Sequence, residues 1–464
     1  MKPPGISPIL EPLSTDEYLP PARTAQQRRA RHRARGQGAA TADRLGIAVP
    51  SYWADRRGTA AGLLALNAEA GDRYFELASG AEVDMAAAAE SFASDFPVID
   101  VQTHWVADRP AFGEFQRQCL KLYRHLAPDW WSGLDGVVAY SLAEYLRCVF
   151  VESETALAVI SASPATDDGS MFLNNPELAA LRELLDRTAG TGRLLNHTVV
   201  RPNLGDCDLM AEWAATYGTA AWKVYTLGMT RPEGLGFVPG TEWRLDDEET
   251  GLPFLERARA VGVPRVCAHK GVSGLVSSGS PSDVGPAAAA FPDIDFLIYH
   301  SGYEPGEHEG PYPGAGVAQG IDRLIESVLA AGLGPGSNVY AELGTTWFCL
   351  VSRPLEAAHV LGKLLLHLGE DNIMWGTDAI WYGPTQPVLD AFRSFQIPDA
   401  LCEQHGYPKI TAAAKRKILA QNAARVYGID LGNLSAASGG PESLGWTRAA
   451  LAEYERVGLA PGPV

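Results

Sequence analysis

The feature that most constrains the fold of this chain is a regular alternation that starts at Pro97 and continues through most of the remaining sequence. Short runs rich in β-branched and aromatic residues alternate there with longer Ala- and Leu-rich amphipathic stretches, a rhythm typical of βα units. We count eight units. The predicted strands are VIDVQTH (98–104), ALAVISA (156–162), LLNHTVV (194–200), AAWKVYT (220–226), PRVCAHK (264–270), DFLIYHS (295–301), NVYAELG (338–344) and NIMWGTD (372–378).

Eight consecutive units with nearly continuous apolar strands favour a closed (β/α)8 TIM barrel, because parallel strands buried on both faces lose the alternation of polar and apolar residues. The alternative is an open doubly wound sheet, which usually has fewer units and often a glycine-rich phosphate turn after its first strand. No such turn follows the first predicted strand. We therefore expect an α/β protein built on a TIM barrel.

The barrel is expected to occupy residues 97–430 of the 464-residue chain. Residues 1–96 begin with an Arg-rich stretch and continue with an Ala-rich one, which predicts a partly flexible arm and helices as an N-terminal, mostly helical extension. Residues 431–464 are expected to form a tail with a short helix.

The overall charge argues for a small-molecule substrate. A formal net charge of −17 and a pI near 5.1 would repel nucleic acid and anionic membranes. No apolar run approaches the length of about 18 to 20 residues that a membrane span needs. The six cysteines show no clustered spacing and are expected to be reduced, as in cytoplasmic proteins.

One segment has the outline of an export signal. Residues 55–68, DRRGTAAGLLALNA, place an arginine pair before a short apolar run. The segment starts late in the chain, and Glu69 and Asp72 follow it at once. We expect a helix of the N-terminal extension and a cytoplasmic protein.

Metal-ligand residue types collect at the ends of predicted strands, where TIM barrels carry their active sites. His104 ends the first strand, His269 the fifth and His300 the sixth, and Asp378 ends the eighth. A single histidine at such a position is more often a core residue, but three with an aspartate favour a site. Imidazoles with a carboxylate suit one divalent metal ion, most simply Zn²⁺, with Mn²⁺ or Fe²⁺ as alternatives.

Further candidates lie on the same rim. Lys223 and Tyr225 end the fourth strand and are predicted to contact substrate, with a structural role as the alternative for Lys223. Glu342 ends the seventh strand and either orients an imidazole or forms a salt bridge. Arg109, in the loop after the first strand, is a candidate anion clamp or a solvated side chain.

Aromatic residues gather around this rim, among them Trp105 and Trp381. They predict a small, apolar, aromatic or cyclic substrate, although part of the group is expected to pack helices against the barrel.

The residues at the strand ends resemble those of the metal-dependent amidohydrolase superfamily, in particular the amidohydrolase-2 branch related to aminocarboxymuconate-semialdehyde decarboxylase. The resemblance covers roughly residues 97–428 and ends in KRKILAQNAARVYGID, which is similar to the closing helix of that branch. It implies that His104, His269 and Asp378 ligate the metal and that His300 is the acid/base. It also leaves open a carboxylated Lys223 that bridges two metals.

This sequence departs from the family pattern at one central position. The first strand reads D-V-Q-T-H, so Gln102 stands where the family has its first histidine ligand. Gln102 is expected to coordinate weakly, to bind substrate or to fill space. Three consequences stay open. The metal could bind more weakly, His300 could become a metal ligand, or the protein could be a descendant of the family that no longer binds a metal.

Three functions follow from this resemblance. The leading one is hydrolysis of a C–N or C–O bond by metal-activated water, with Asp378 orienting or deprotonating the water. The alternative is non-oxidative, metal-dependent decarboxylation of an aromatic or vinylogous acid. A binding scaffold without catalysis is the third. The resemblance also implies a homodimer.

Overall fold

The structure, a computed structural model, describes residues 6–10, 23–107, 140–229, 238–271, 277–316, 319–434 and 440–459. Eight parallel strands follow one another in chain order around one sheet. They are β1 (Val98–Thr103), β2 (Thr155–Ile160), β3 (Leu194–Val199), β4 (Ala221–Tyr225), β5 (Arg265–His269), β6 (Asp295–Tyr299), β7 (Val339–Glu342) and β8 (Ile373–Met374).

The sheet closes between its last and first strands. The Val101 N–H donates to the carbonyl of Trp375 at 3.0 Å, and Thr103 forms a parallel bridge with Ala379. The predicted (β/α)8 barrel is therefore confirmed.

All eight predicted strands are present, but each ends earlier than its sequence run. β8 is the shortest and ends two residues before Gly376, where a Cβ atom would lie 1.9 Å from Glu342 Oε1. As a result His104, His300 and Asp378 lie in the loops just beyond their strands, and His269 is the last residue of β5.

Helices fill the intervals between the strands and cover the outside of the barrel. The helix after β2 illustrates how the sequence sets their bounds: Asn174 and Glu177 form a capping box at its start, and Gly190 ends it with a φ of 70°. The described α-helices are Ala25–Leu45, Val49–Trp53, Arg56–Ala70, Met85–Ser91, Leu142–Leu146, Asn175–Ala189, Met210–Tyr217, Gly251–Ala260, Val284–Ala290, Ile321–Ala330, Thr346–Leu350, Pro354–His367, Gln386–Ser394, Asp399–His405, Ala412–Arg416, Asn422–Tyr427 and Leu444–Val457.

The segment with the outline of an export signal forms the helix Arg56–Ala70, as expected. Arg56 forms ion pairs with Glu154, directly before β2, and with Asp390 of the helix Gln386–Ser394, so these pairs attach the N-terminal helix to the barrel. Within the described residues, we find no helix whose length and apolar character would let it cross a membrane.

Apolar side chains fill the barrel below its C-terminal rim. The interior cluster includes Ile99, Val159, Leu297 and Met374 and is closed at the opposite end by Val426 of the helix Asn422–Tyr427. This packed interior leaves the rim as the place where polar groups converge.

Candidate active site

The backbone of β1 is irregular where it reaches the rim. Its pairing with β2 shifts register between Asp100 and Thr103, so the strand bulges beside Gln102. Bulges next to active sites change the direction of side chains. Here Gln102 and His104 both contact Asp378 on the loop after β8.

Asp100 fixes the same two loops to each other. Its carboxylate accepts the Thr377 N–H at 3.0 Å and the Thr377 hydroxyl at 2.6 Å. Burial raises the pKa of Asp100 to about 7, against the hydrogen bonds from Thr377.

Left-handed backbone marks the site. The non-glycine residues with positive φ in the described chain are His300 (62°), Ser301 (52°), Thr345 (59°) and Asp378 (58°). Such residues cost of order 1–3 kcal/mol each and persist where surrounding contacts impose them, most often at functional sites. The loops after β6, β7 and β8 each contribute at least one.

His104 and Asp378 form the first pair of ligand-type groups. His104 Nε2 lies 3.0 Å from Asp378 Oδ1, and His104 Nδ1 lies 2.7 Å from the Ser161 carbonyl oxygen. Because a carbonyl only accepts, Nδ1 carries a hydrogen, and a neutral His104 would point its Nε2 lone pair at a carboxylate. A proton on Nε2, or a metal ion bound to both atoms, removes that conflict.

The Asp378 carboxylate accepts from two further donors. Gln102 Nε2 donates to Oδ1 at 2.9 Å, and the Thr345 hydroxyl donates to Oδ2 at 2.5 Å. Burial raises the pKa of Asp378, but the hydrogen bonds from His104 and Thr345, together with the electrostatic influence of the neighbouring imidazoles, outweigh it, so its pKa lies below the ordinary value. Asp378 is therefore an ionised group that is held in place.

His300 and His269 form the second pair. His300 Nδ1 lies 2.9 Å from the Gly344 carbonyl and therefore carries a hydrogen, so its Nε2 is the acceptor in the neutral ring. That Nε2 lies 3.3 Å from His269 Nδ1 and 3.5 Å from Gln102 Nε2. Burial lowers the pKa of His300 to about 4 and that of His269 well below its usual value, so both rings are neutral at neutral pH.

Glu342 forms a hydrogen bond with the backbone of His300. Its two oxygens accept the His300 N–H at 3.0 Å and the Gly344 N–H at 2.5 Å. Burial raises the pKa of Glu342 well above its usual value. Gly344 and Gly376 leave room for this group and for Gln102, since a Cβ at either glycine would overlap one of the two side chains.

Aromatic side chains enclose the two pairs. Tyr225 stacks on His269 with ring centroids 4.2 Å apart, and His104 contacts both Phe172 and Trp381 at 5.8 Å. The polar groups of the site are therefore surrounded by apolar ring faces.

Lys223 lies below this layer, inside the barrel. It is fully buried, with Nζ 3.7 Å from the Tyr299 ring centroid and 4.7 Å from that of Tyr225. Its cation is stabilised in part by these rings. Its role in substrate binding stays a prediction.

The structure brings most of the sequence-predicted residues together. They are Gln102, His104, Tyr225, His269, His300, Glu342, Asp378 and Trp381. Trp105 instead packs edge-on against Tyr454 of the C-terminal helix, at 5.7 Å, in the layer outside the barrel. Arg109 lies outside the described residues.

Sequence reasoning missed Thr345, Asp100 and Gly344. Nothing in the sequence separates Thr345 from an ordinary loop residue, because its importance depends on a backbone angle and on contact with the next loop. Asp100 could have been found, because it is the first residue of the D-V-Q-T-H sequence at the end of the first strand.

The metal ligands stay a prediction. Where the chain is described, no three His, Cys, Asp or Glu side chains are placed so that they could together hold a metal ion. The ligand-type atoms instead contact one another in two pairs, His104 with Asp378 and His269 with His300.

Comparison with known proteins finds a match to one family over part of the chain. Residues 208–429 match the amidohydrolase family. No curated protein matches the chain.

Several solved structures are similar over most of the chain. Among them, 5-carboxyvanillate decarboxylase from Sphingomonas paucimobilis is 13% identical, with a TM-score of 0.41 over 72% of this chain and 100% of that one. A dihydroxybenzoic acid decarboxylase from Polaromonas sp. with bound manganese is 14% identical, with a TM-score of 0.38 over 72% and 97%. A 2,6-dihydroxybenzoate decarboxylase is 14% identical, with a TM-score of 0.39 over 73% and 100%.

Proposed function

We propose that this chain, whose residues 208–429 match the amidohydrolase family, is a metal-dependent carboxy-lyase that removes CO₂ from a small aromatic or vinylogous acid. The observation that carries this proposal is a difference between the two pairs of groups, His104 with Asp378 and His269 with His300. Asp378 has both carboxylate oxygens engaged, whereas His269 and His300 share a contact through which a proton can move.

Hydrolysis, the function favoured by the sequence, is less well supported. A general base for water works best when its pKa lies near the working pH. Asp378 accepts from Gln102 and Thr345, and its pKa lies below its ordinary value. The carboxylate therefore orients neighbouring groups better than it accepts a proton.

Decarboxylation requires a proton at the carbon that loses CO₂, and the imidazole pair is placed to supply it. An anionic substrate beside His300 would favour the protonated ring, since an opposite charge nearby stabilises the charged form. The C–C bond then breaks, its electron pair stays on the substrate carbon, and that carbon takes the proton from His300. Solvent returns a proton to the pair after CO₂ leaves.

The aromatic walls support the same reaction. Tyr225 stacks on His269, Trp381 lies at a tilt to His104, and Phe172 meets His104 edge to face. A flat conjugated substrate packs well against such faces, and an apolar surrounding holds a charged carboxylate poorly compared with neutral CO₂.

The donor chemistry fits a divalent metal ion at His104 and Asp378. His104 Nε2 and Asp378 Oδ1 lie 3.0 Å apart, close enough to bind one cation in place of a proton. Gln102 adds a buried amide oxygen that has no hydrogen-bond partner among the described residues. His269 is the remaining ligand that the sequence predicts. A bound divalent ion would supply positive charge that draws in and orients an oxygen anion of the substrate. Zn²⁺ and Mn²⁺ both accept this mixture of nitrogen and oxygen ligands.

The proposal is tested with the purified chain loaded with Mn²⁺ or Zn²⁺ and incubated with hydroxylated aromatic acids. Mass spectrometry should show loss of CO₂ and, in heavy water, one deuterium on the product carbon. A parallel set of aromatic amides and lactones tests hydrolysis. Addition of water to members of that set, with no loss of CO₂ from the acids, would replace our proposal with hydrolysis.

A further inference from the structure

A chain of hydroxyl groups joins the loop after β7 to the loop after β8. The Thr345 hydroxyl lies 2.5 Å from Asp378 Oδ2 and 2.7 Å from the Tyr382 hydroxyl. All three side chains are buried.

The direction of these hydrogen bonds follows from counting donors. An ionised carboxylate only accepts, so Thr345 gives its single hydroxyl hydrogen to Asp378. The Thr345 oxygen can then only accept from Tyr382. The order of donation is therefore Tyr382 to Thr345 to Asp378.

The backbone at Thr345 supports a special role. Its φ is 59°, a left-handed conformation that is a genuine outlier for a β-branched residue. Asp378, the acceptor, has a φ of 58°. Two strained residues on separate loops thus face each other through one hydrogen bond, and such strain persists only where the surroundings impose it.

Tyr382 is itself held firmly. Its ring stacks on Phe348 with centroids 4.2 Å apart and an interplanar angle of 20°. Phe348 belongs to the helix Thr346–Leu350, which starts directly after Thr345. The ring and the hydroxyl of Tyr382 therefore both contact the segment that begins at Thr345.

We propose that Thr345 is the positioning residue of Asp378: its hydroxyl, oriented by Tyr382, holds Oδ2 and leaves Oδ1 as the oxygen presented to His104, Gln102 and a bound metal ion. This deepens the proposed function and rests on it only for its effect on turnover. The orientation of Asp378 is a property of the protein alone.

The variant Thr345→Val tests the proposal, because valine keeps the size and β-branching and removes only the hydroxyl. We expect Mn²⁺ affinity, measured by calorimetry, and kcat for decarboxylation each to fall by about 10-fold to 100-fold, the usual cost of losing a group that orients a ligand. Thr345→Ser restores the hydroxyl and should stay within about 3-fold of the wild type. Tyr382→Phe should lie between the two, because Thr345 keeps its own bond to Asp378.

Matched controls remove comparable groups elsewhere. Thr198→Val deletes a buried hydroxyl that bonds Thr219 at 2.6 Å, and Tyr407→Phe deletes a hydroxyl that bonds His359 at 3.1 Å. Both should lose stability without losing Mn²⁺ affinity. Equal Mn²⁺ affinities for Thr345→Val and Thr198→Val would overturn the proposal, as would Thr345→Ser behaving like Thr345→Val.

A crystal structure of metal-free Thr345→Val separates this inference from the proposed function. We expect the Asp378 carboxylate to rotate away from its wild-type orientation. An unchanged carboxylate would refute the positioning role even if the chain proved to be a carboxy-lyase. A rotated one would support it even if the chain failed to release CO₂. If Thr345→Val does not fold, the same comparison is made on Thr345→Ala, which removes the same hydroxyl.

Discussion

Gln102 and Asp378 are joined twice across the seam of the barrel. The Asp378 N–H donates to the Gln102 carbonyl at 2.9 Å, and the Gln102 side-chain amide donates to Asp378 Oδ1 at 2.9 Å. The residue that departs from the family pattern is therefore also the one that ties the first strand to the loop after the last. Its amide oxygen is buried and has no hydrogen-bond partner among the residues that the structure describes.

The first prediction concerns this residue. Gln102→Leu removes the bond to Asp378 together with the unpartnered oxygen, whose burial costs about 1–3 kcal/mol. The two effects oppose each other, so the free energy of unfolding should change by less than about 1 kcal/mol. Metal affinity should nevertheless fall by about 10-fold or more, since a group orienting a ligand is lost. Urea denaturation and calorimetry measure the two quantities.

Gln386→Leu is the matched control. The Gln386 amide uses both ends, accepting from the Glu154 N–H and donating to Asp390, each at 2.7 Å. It should lose about 2 kcal/mol of stability and keep its metal affinity. If Gln102→Leu behaved like this control, Gln102 would be a structural residue only.

A second prediction assigns the role of His300. His300→Asn should lower kcat by about 100-fold to 10,000-fold, the usual contribution of a general acid, while bound metal is retained. Asparagine tolerates the left-handed backbone at this position, where φ is 62°. His359→Asn, at a histidine that bonds Tyr407, is the control and should leave kcat unchanged. Loss of metal along with activity would make His300 a ligand instead of the acid.

The sequence could predict the barrel because its signal is repeated. Eight apolar runs such as AAWKVYT and PRVCAHK each report burial on both faces, and the observed strands β4 and β5 lie inside them. The ends of the strands could not be predicted, because they depend on where the backbone leaves the ladder. β8 ends at Met374, two residues before Gly376, where a Cβ atom would overlap Glu342.

The site was predictable in its residue types and not in its pairing. His104 and Asp378 lie far apart in sequence and meet because β1 and β8 close the barrel, which follows from the fold. His300, which contacts His269, has a positive φ that the sequence does not reveal. A residue such as Thr345, defined by its backbone angle, gives no sequence signal.

The third prediction concerns pH. The pKa of His300 is lowered to about 4 in the folded chain from 6.5 in the unfolded one, so the unfolded state binds more protons between these values. The stability due to the neutral His300 is fully present above pH 6.5 and is lost as pH falls toward 4. Metal-free wild type should therefore lose about 1–3 kcal/mol relative to His300→Asn between pH 7.5 and about 4.5.

Comparing the two proteins isolates this group from others that titrate. Asp100, with a pKa raised to about 7, acts in the opposite sense, because its folded state binds more protons than its unfolded state. That contribution is the same in both proteins and cancels in the difference. Urea denaturation between pH 7.5 and about 4.5 measures the difference in the free energy of unfolding. If this free energy changed with pH equally in both proteins, His300 would not be held neutral by burial.

The last prediction concerns the space that Gly376 leaves for the Glu342 side chain. At Gly376 a Cβ atom would lie 1.9 Å from Glu342 Oε1 and 3.1 Å from Gln102 Cβ, so Gly376→Ala must displace Glu342. Overpacking of this kind costs about 1–3 kcal/mol. Since Glu342 accepts the His300 N–H, its displacement should also lower kcat.

Gly445→Ala is the control. Its Cβ would meet no described atom within 4 Å in the helix Leu444–Val457, and alanine should stabilise that helix by about 0.5–1 kcal/mol. Denaturation curves and kcat are measured for both variants. A stable and active Gly376→Ala would show that neither stability nor turnover depends on the position of Glu342 beside His300.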